Sequence, residues 1–479
     1  MKCPALRVQC FAMRQKKRRP STPKVRRDVA GGKRGDGNTR KQRVRRPDPG
    51  SFHAGRPDPN LTGVAGLVPY GGFLRRLGVD RELARQFGSL KDDPRVIYPM
   101  GSQMRLLMDA FAVGEGRVFG LEALAADPLF VQLAGGVVPS IDTVYADLDR
   151  FDDRAIARLE AMVTEHGLVG VSKLGGPYVH LDIDTSVLPL FGSHEGGLPG
   201  PNPKYRGRPS YHPMLARIAE TDTIVGAELR PGDTGLGGDD VPTIRRWAAR
   251  AKRALRPKVA LCTRIDSGAD CAEILEGLHA EQVFYIVKGR ITPDLYQALV
   301  AQKSWRTVDV DADGQPRRQL AELDFQRESW RQRDLKVRVI AVRSRERQGR
   351  QLPLPGALDP HWTVQVFLTN RVDDADDIAW DYDCRAGIEP LIAELKGAWS
   401  IGQVSSYGFN ANHVVLLLKM LSHNLFDRYA RECFPKIPSW RTPWRRRLLL
   451  RAPGRMSRTG GRRSIHVHPS SPLAIVLLE

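Results

Sequence analysis

The chain has 479 residues, a formal net charge of +20, 41% hydrophobic residues and 27% charged residues, which is typical of a soluble globular protein with more than one domain. No segment approaches the roughly 20 consecutive apolar residues of a membrane-spanning helix, and the first residues lack the apolar stretch of a secretory signal. The composition therefore excludes an integral membrane protein and predicts a cytoplasmic one.

The positive charge is concentrated at the two ends of the chain. Residues 1–50 carry a net charge of +14 and residues 436–479 a net charge of +9, whereas the residues between them carry −3. Basic ends suit a polyanionic partner, because each phosphate contact releases counterions. A solvated tail is an equally good interpretation of residues 1–50. The C-terminal run interleaves Trp440, Trp444 and leucines with arginines, which favours binding to a nucleic-acid backbone.

The first two segments of the chain differ sharply in pattern. Residues 1–58 are rich in Lys, Arg, Pro and Gly without apolar periodicity, and we expect a basic disordered tail. Residues 59–172 have helical periodicity. They predict a helical domain that either binds DNA or serves only as a packing domain.

Residues 173–289 alternate between strand and helix patterns. The predicted strands are 177–190, 212–220, 223–232, 258–268 and 282–289, and the predicted helices are 239–255 and 270–280. This order is that of an RNase H-like fold, in which helices flank a mixed sheet, although other α/β folds share parts of it.

The remaining residues divide into three predicted segments. Residues 290–371 are expected to form a separate, mainly β insertion, and residues 372–430, helical from Ala375, complete the α/β domain. Residues 431–479 form a basic segment that we expect to contact DNA. The predicted fold class is thus α/β, an RNase H-like domain with a β-rich insertion, preceded by a helical N-terminal domain and flanked by basic termini.

Three acidic residues lie where this topology would bring them together. Asp184 lies in the first strand, Asp266 ends the fourth, and Glu389 lies in the helix after the insertion. Clustered carboxylates at about 4 Å repel by about 4 kcal/mol per pair, so they require protons or cations. Oxygen ligands favour Mg²⁺ or Mn²⁺, and two such ions can cut a phosphodiester. Each aspartate alone is more often a turn former or a cap.

The helix pattern around Glu389 carries a second signal. On one continuous helix, Tyr382, Arg385, Glu389 and Lys396 would fall within an arc of about 60°. Such a stripe suits a metal ligand flanked by phosphate-binding groups. An exposed polar face with incidental ion pairs explains the stripe equally well.

At these four residues the chain resembles the DDE transposases of bacterial insertion sequences, specifically the class with a Y-x2-R-x3-E-x6-K signature. The motifs "DIDTS" and "RIDSG" agree in order, and the segments 205–213, 229–234 and 409–425 look like segments of one subfamily. The resemblance covers residues 62 to 463 and implies an RNase H-like catalytic domain acting on the terminal inverted repeats of a mobile element.

The resemblance also assigns roles to individual residues. It implies that two Mg²⁺ or Mn²⁺ ions are held by Asp184, Asp266 and Glu389. The residues expected to contact DNA are Tyr382, Arg385, Lys396, Arg206 and Arg208. The implied partner is double-stranded DNA, both the inverted repeats and the target, bound by a homodimer at the nucleoid.

Two features leave alternatives open. Asp182 is a rival for the first ligand position, but a hydroxyl residue follows Asp184, as in the family pattern. Pro390 within a helix would cost about 3 kcal/mol, so either the helix begins or kinks near Gly387 or this copy is impaired. The alternatives are therefore a copy that only binds DNA, and an RNase H-like nuclease without strand transfer.

Overall fold

The computed structural model describes residues 49–51, 53, 55–202, 205–345, 362–437 and 441–477. The chain divides after Pro59 into two units: the larger one, from Asn60 onward, is compact, and the described part of the smaller one contains a 3₁₀ turn at Pro49–Ser51. Most of the predicted basic tail, residues 1–58, lies outside the described residues, so its disorder stays a prediction.

The larger unit begins with a short strand and a series of helices, as the periodicity predicted. These elements are β1 (Leu61–Thr62), α1 (Leu67–Arg76), α2 (Val79–Phe87), α3 (Met100–Val113), α4 (Gly120–Leu124), α5 (Pro128–Leu133), α6 (Ile141–Leu148) and α7 (Asp153–Gly167). Asp127, Ser140 and Asp152 start α5, α6 and α7, because their side chains accept hydrogen bonds from the first backbone amides of each helix.

The next segment contains the predicted strands and helices in the predicted order. They are β2 (Tyr178–Thr185), β3 (Leu188–Pro189), β4 (Leu198–Pro199), β5 (Pro209–Tyr211), β6 (Met214–Ile218), β7 (Thr223–Glu228), α8 (Val241–Ala254), β8 (Ala260–Ile265), α9 (Ala272–Ala280) and β9 (Phe284–Gly289). Strands β3, β5 and β4 form a small separate sheet that prediction missed, since each has only two or three residues.

The segment predicted as a separate β insertion lies within the main sheet. Its elements are α10 (Pro293–Ala301), β10 (Arg306–Val310), β11 (Pro316–Leu323), α11 (Glu328–Arg331), β12 (Arg338–Ser344) and β13 (Thr363–Thr369). Strand β13 pairs antiparallel with β9, which gives nine strands in the order β10-β11-β12-β13-β9-β8-β2-β6-β7. Among the described strands of this sheet, the pairs β2–β8 and β8–β9 are parallel and the other pairs are antiparallel.

The helix predicted to continue from Ala375 through Lys396 is interrupted. It consists of α12 (Ala375–Asp383), a 3₁₀ segment (Cys384–Gly387) and α13 (Ile388–Ala398). Pro390 therefore lies in the first turn of α13, where a missing N–H removes no helical hydrogen bond. The expected cost of a proline inside a helix does not arise.

The chain then continues through a long central helix into the C-terminal elements. These are α14 (Phe409–Cys433), α15 (Thr442–Leu449), β14 (Gly454–Thr459), β15 (Arg462–Val467) and α16 (Leu473–Val476). Strands β1, β14 and β15 form a third sheet. Among the described residues, no helix combines the length and apolarity needed to cross a membrane.

Three apolar cores hold the larger unit together. One surrounds α14 and includes the helices of residues 67–163, one lies on the sheet face covered by α8 and α9, and one lies on the opposite face under α12. Contacts thus cross all the predicted domain boundaries after residue 59. Those boundaries stay predictions.

Candidate active site at the ends of two parallel strands

Asp184 and Asp266 lie at the same end of two neighbouring strands. Strands β2 and β8 are parallel, and Ile183 pairs with Ile265, so each aspartate follows directly after a paired residue. Neighbouring strands are separated by about 4.8 Å, which brings the two aspartates side by side. Burial raises the pKa of Asp184, and the nearby charge of Asp266 raises it further, against the opposing effect of Arg385.

The backbone after each aspartate fixes the carboxylate. Asp266 Oδ1 accepts a hydrogen bond of 2.9 Å from Gly268 N in the 3₁₀ turn Ser267–Ala269. Asp184 Oδ1 accepts one of 2.8 Å from Thr185 N. Both carboxylates therefore keep oxygen lone pairs for other ligands, since each backbone bond engages a single oxygen.

Asp182, the rival for the first ligand position, has a different environment. Its side chain is fully buried, and its oxygens accept hydrogen bonds of 2.6–3.1 Å from Arg217 on β6 and Arg264 on β8. Burial opposes ionisation, but the two guanidinium groups outweigh it and hold the pKa of Asp182 below its ordinary value. The side chain of Asp182 is therefore buried and paired with two arginines, whereas Asp184 lies at the end of strand β2.

Tyr382 and Arg385, two residues expected to contact DNA, are buried against the same strand ends. Tyr382 Oη donates a hydrogen bond of 3.3 Å to Ile265 O, and Arg385 Nη2 donates one of 3.1 Å to Ile183 O. Arg385 Nη2 also lies 3.2 Å from Asp184 Oδ1. The structure thus places both side chains inside the protein, against the residues that precede the two aspartates.

Glu389 and Lys396 lie on α13 with exposed side chains. Lys396 Nζ donates a hydrogen bond of 3.0 Å to Val187 O, just beyond β2. Glu389 is four residues beyond Arg385, in the first turn of the helix. Within the described ranges, no group of three or more His, Cys, Asp or Glu residues is arranged to hold a metal ion.

The donor chemistry of the paired aspartates fits a hard divalent cation. Asp184 and Asp266 present carboxylate oxygens, the ligands that Mg²⁺ and Mn²⁺ prefer. The guanidinium of Arg385 already places one positive charge beside Asp184. Two of the three predicted ligands are thus brought together, and the third, Glu389, is exposed on the adjoining helix.

A network of charged side chains around the buried residues His180 and Arg371 was not predicted. His180 Nδ1 lies 2.7 Å from Glu220, and His180 Nε2 lies 3.5 Å from Asp381, which also binds Arg371 at 2.5 Å. Burial opposes the ionisation of Asp381, but His180 and Arg371 hold its pKa at about 2. A sequence signal does exist for the charges around Asp182: its partners Arg217 and Arg264 each stand inside a strand of mainly apolar residues.

Two basic residues in the described part of the loop between β4 and β5 reach the surface, Arg206 fully and Arg208 partly. Arg206 is exposed, and the guanidinium group of Arg208 lies 4.5 Å from the ring centre of Phe191 and 5.4 Å from that of Tyr205. These rings hold Arg208 at the surface by cation–π contact.

The C-terminal arginines fall into two classes. Arg445 and Arg446 of α15 are buried, and Arg446 donates hydrogen bonds to three carbonyl oxygens, those of Phe111, Ala112 and Ala398. The arginines of the hairpin β14–β15 are exposed instead; they are Arg455, Arg458, Arg462 and Arg463.

The chain belongs to the DDE transposases, since the family model described as transposase DDE domain group 1 matches residues 58–478. Among solved structures, it is similar to a piggyBac transposase in a synaptic complex with hairpin DNA, with 12% identity and a TM-score of 0.43. That similarity covers 80% of this chain and 79% of the other. None of the curated proteins compared with the chain matches it.

Proposed function

We propose that the protein binds the terminal inverted repeats of an insertion sequence and catalyses DNA cleavage and strand transfer with two divalent metal ions. The observation that carries this proposal is the position of Asp184 and Asp266 side by side at neighbouring strand ends in a chain of the DDE transposase family. The strand order β7-β6-β2-β8-β9, with three antiparallel strands followed by two parallel ones, supports an RNase H-like catalytic core.

In this proposal Asp184, Asp266 and Glu389 hold Mg²⁺ or Mn²⁺. Two such ions would activate a water or a 3′-hydroxyl and stabilise the leaving oxygen of the phosphodiester. The protein itself aligns the two aspartates through the β2–β8 ladder and supplies the third carboxylate from α13. Because Glu389 is exposed, its side chain is free to turn toward an ion without disturbing the core.

The accessible cations supply the proposed DNA contacts. They are Arg206 and Arg208 in the β4–β5 loop, Lys396 on α13, and the hairpin β14–β15. In the hairpin, Arg458 lies directly opposite Arg463, an arrangement of like charges that destabilises a strand pair unless an anion neutralises it. A two-stranded ribbon also fits the major groove of duplex DNA. We propose further that two copies act together on DNA at the nucleoid.

A labelled duplex with the terminal repeat tests the proposed function. The wild-type protein with Mg²⁺ should cleave the duplex and join it to target DNA, and Asp266→Asn should bind without cleaving. Asp324→Asn, at an exposed aspartate, is the matched control and should cleave normally.

The other outcomes separate the alternatives. Wild-type binding without cleavage would identify an impaired copy, and cleavage without joining would identify a nuclease. Loss of binding by Asp266→Asn would mean that this carboxylate maintains the fold.

A further inference from the structure

The C-terminal ends of two helices meet inside the protein. One is α3, from the helical part of the chain that precedes the large sheet, and the other is α13, which carries Glu389. Gly116, just after α3, lies against the loop that follows α13, where a Cβ atom at position 116 would come within 2.4 Å of Gln403 Oε1 and 2.7 Å of Ser400 Oγ. The last carbonyl groups of a helix have no partner within it, so two helix ends that meet in the interior need donors from elsewhere.

Two buried side chains supply these donors, and each of them reaches both helix ends. Lys419 of α14 is 1% exposed, and its Nζ donates hydrogen bonds of 2.8 Å to Gly116 O and to Ser400 O. Arg446 of α15 is 6% exposed, and it donates a hydrogen bond of 2.6 Å to a carbonyl oxygen in the last turn of each helix. Each side chain therefore joins the end of α3 to the end of α13.

The surroundings of these two donors indicate that joining the helix ends is their main role. Within the described residues, all the hydrogen bonds of both side chains go to backbone carbonyl oxygens. Lys419 Nζ lies 5.3 Å from the ring centre of Phe111, and the Arg446 guanidinium lies 4.6 Å from that of Trp399. Burial lowers the pKa of Lys419 to about 7, but the amine donates hydrogen bonds in either protonation state.

The position of Glu389 depends on how the far end of its helix is held. Glu389 is in the first turn of α13 and Ala398 is its last residue, so they are about 13 Å apart along the axis. A tilt of about 10° around the Ala398 end would move Glu389 by about 2 Å, whereas a metal ligand has to be held within about 0.5 Å. Small changes at the joined ends would thus displace the carboxylate.

We propose that Lys419 and Arg446 are positioning residues, which hold α13 against α3 and thereby set where Glu389 meets Asp184 and Asp266. This role rests on the proposed function of Glu389 as a metal ligand. Neither residue touches the metal or the DNA in this arrangement. Both act through the backbone of the helix that carries the third carboxylate.

Manganese binding by the protein alone provides the first test. Lys419→Met keeps the length of the side chain and removes its donor. We expect it to raise the Mn²⁺ concentration for half-saturation, measured by electron paramagnetic resonance, by about tenfold, as the loss of a group that orients a ligand does. Lys91→Met is the matched control: Lys91 is largely buried and pairs with Asp147 at 2.5 Å, so this variant should lose stability but bind Mn²⁺ as the wild type does.

A double-mutant cycle distinguishes positioning of Glu389 from a general loss of structure. Residues that act through one another have non-additive effects, whereas independent residues have additive ones. If Lys419 acts through Glu389, adding Lys419→Met to Glu389→Gln should not weaken Mn²⁺ binding further. An equal loss in both backgrounds would overturn the proposal, because the donor would then act on the site without Glu389.

DNA binding and cleavage provide the third test. Buried donors release no counterions from DNA, so Lys419→Met and Arg446→Ala should bind duplex DNA in EDTA with the wild-type affinity and salt dependence. Cleavage at saturating DNA should fall by about tenfold in both variants. Arg446→Lys, which keeps one donor group, should recover part of the loss. A weaker DNA affinity with normal cleavage at saturation would place these residues in DNA binding and contradict the proposal.

The remaining outcomes separate this role from the proposed function. Wild-type Mn²⁺ binding by folded Lys419→Met, when Glu389→Gln has lost it, overturns the positioning role alone. If Glu389→Gln and Asp266→Asn both bind Mn²⁺ as the wild type does, the proposed metal site is wrong, and the positioning role falls with it. Thermal unfolding shows whether each variant is folded. If Lys419→Met does not fold, Arg446→Lys and Gly116→Ala, which presses on the loop after α13 without removing a donor, decide the question in the same assays.

Discussion

Asp182 and Asp184 lie two residues apart on β2, and substituting each by asparagine should separate folding from activity. In Asp182→Asn, two buried guanidinium groups, those of Arg217 and Arg264, lose their shared counterion, and the new amide N–H₂ group faces them as a donor. Breaking a buried ion pair by removing one partner costs about 3–5 kcal/mol. Because Arg217 keeps Asp222 and Arg264 keeps a backbone carbonyl, we expect about 3 kcal/mol.

Asp184→Asn should behave differently. The amide oxygen can accept the hydrogen bonds that Asp184 Oδ1 receives from Thr185 and Arg385. Since burial raises the pKa of Asp184 and the charge of Asp266 raises it further, its ionisation at neutral pH opposes folding. That cost is absent below the ordinary carboxyl pKa and grows as the pH rises. The free energy of unfolding at pH 7 should therefore change by less than about 1 kcal/mol.

Urea denaturation at pH 7, with DNA cleavage measured on the same preparations, is the assay. The expected loss of about 3 kcal/mol in Asp182→Asn corresponds to a folded-to-unfolded ratio roughly a hundredfold lower than in the wild type. Asp184→Asn should unfold near the wild-type midpoint but fail to cleave. A wild-type midpoint for Asp182→Asn would refute the reasoning, because its carboxylate would then be dispensable to the fold. Full cleavage by Asp184→Asn would remove Asp184 from the site.

Three further predictions concern residues outside the site. Replacing Arg458, Arg462 and Arg463 together by alanine should lower the salt slope of DNA binding by about 2.7 without changing thermal stability, and an unchanged slope would exclude the hairpin as a DNA contact. Arg446→Ala removes hydrogen bonds to three carbonyl oxygens, of which that of Phe111 keeps the amide of Gly114, and should lower the free energy of unfolding by about 2 kcal/mol, which denaturation at the wild-type midpoint would contradict. Asp381, whose pKa is held at about 2, should contribute on the order of 2 kcal/mol above pH 4 and lose that contribution as the pH falls toward 2. The stability difference between wild type and Asp381→Asn should shrink over that range in urea titrations. A constant difference would disprove the claim that ionised Asp381 stabilises the fold.

The strand and helix order from residue 177 to 289 could be predicted because each element carries its own apolar pattern. Strand β2 alternates, and its apolar side chains Leu181 and Ile183 pack in one core. The different environments of Asp182 and Asp184 could not be predicted in this way. The two residues have the same local spacing, and their difference depends on Arg217 and Arg264, which are 35 and 82 residues away from Asp182.

The inward orientation of Arg385 could not be predicted from the sequence, for a different reason. A helical periodicity assumes one continuous helix, and on that assumption Tyr382, Arg385 and Glu389 share an exposed stripe. Pro390 was the only sequence signal of the interruption, and it correctly indicated a helix start near Gly387. In the structure the 3₁₀ segment separates Tyr382 from Glu389, and the same three residues divide into two buried donors and one exposed carboxylate.

The position of the β insertion explains why Tyr382 is buried. Strands β12 and β13 continue the main sheet, so Phe367 on β13 lies under α12 and packs on the Tyr382 ring. Arg318 on β11 forms an ion pair with Asp383, at the end of the same helix. The segment that contacts the strand ends of Asp184 and Asp266, residues 382–385, is therefore itself supported by strands of residues 290–371. Substitutions in those strands should consequently affect the two aspartates through α12, although none of these strands contributes a carboxylate to the proposed site.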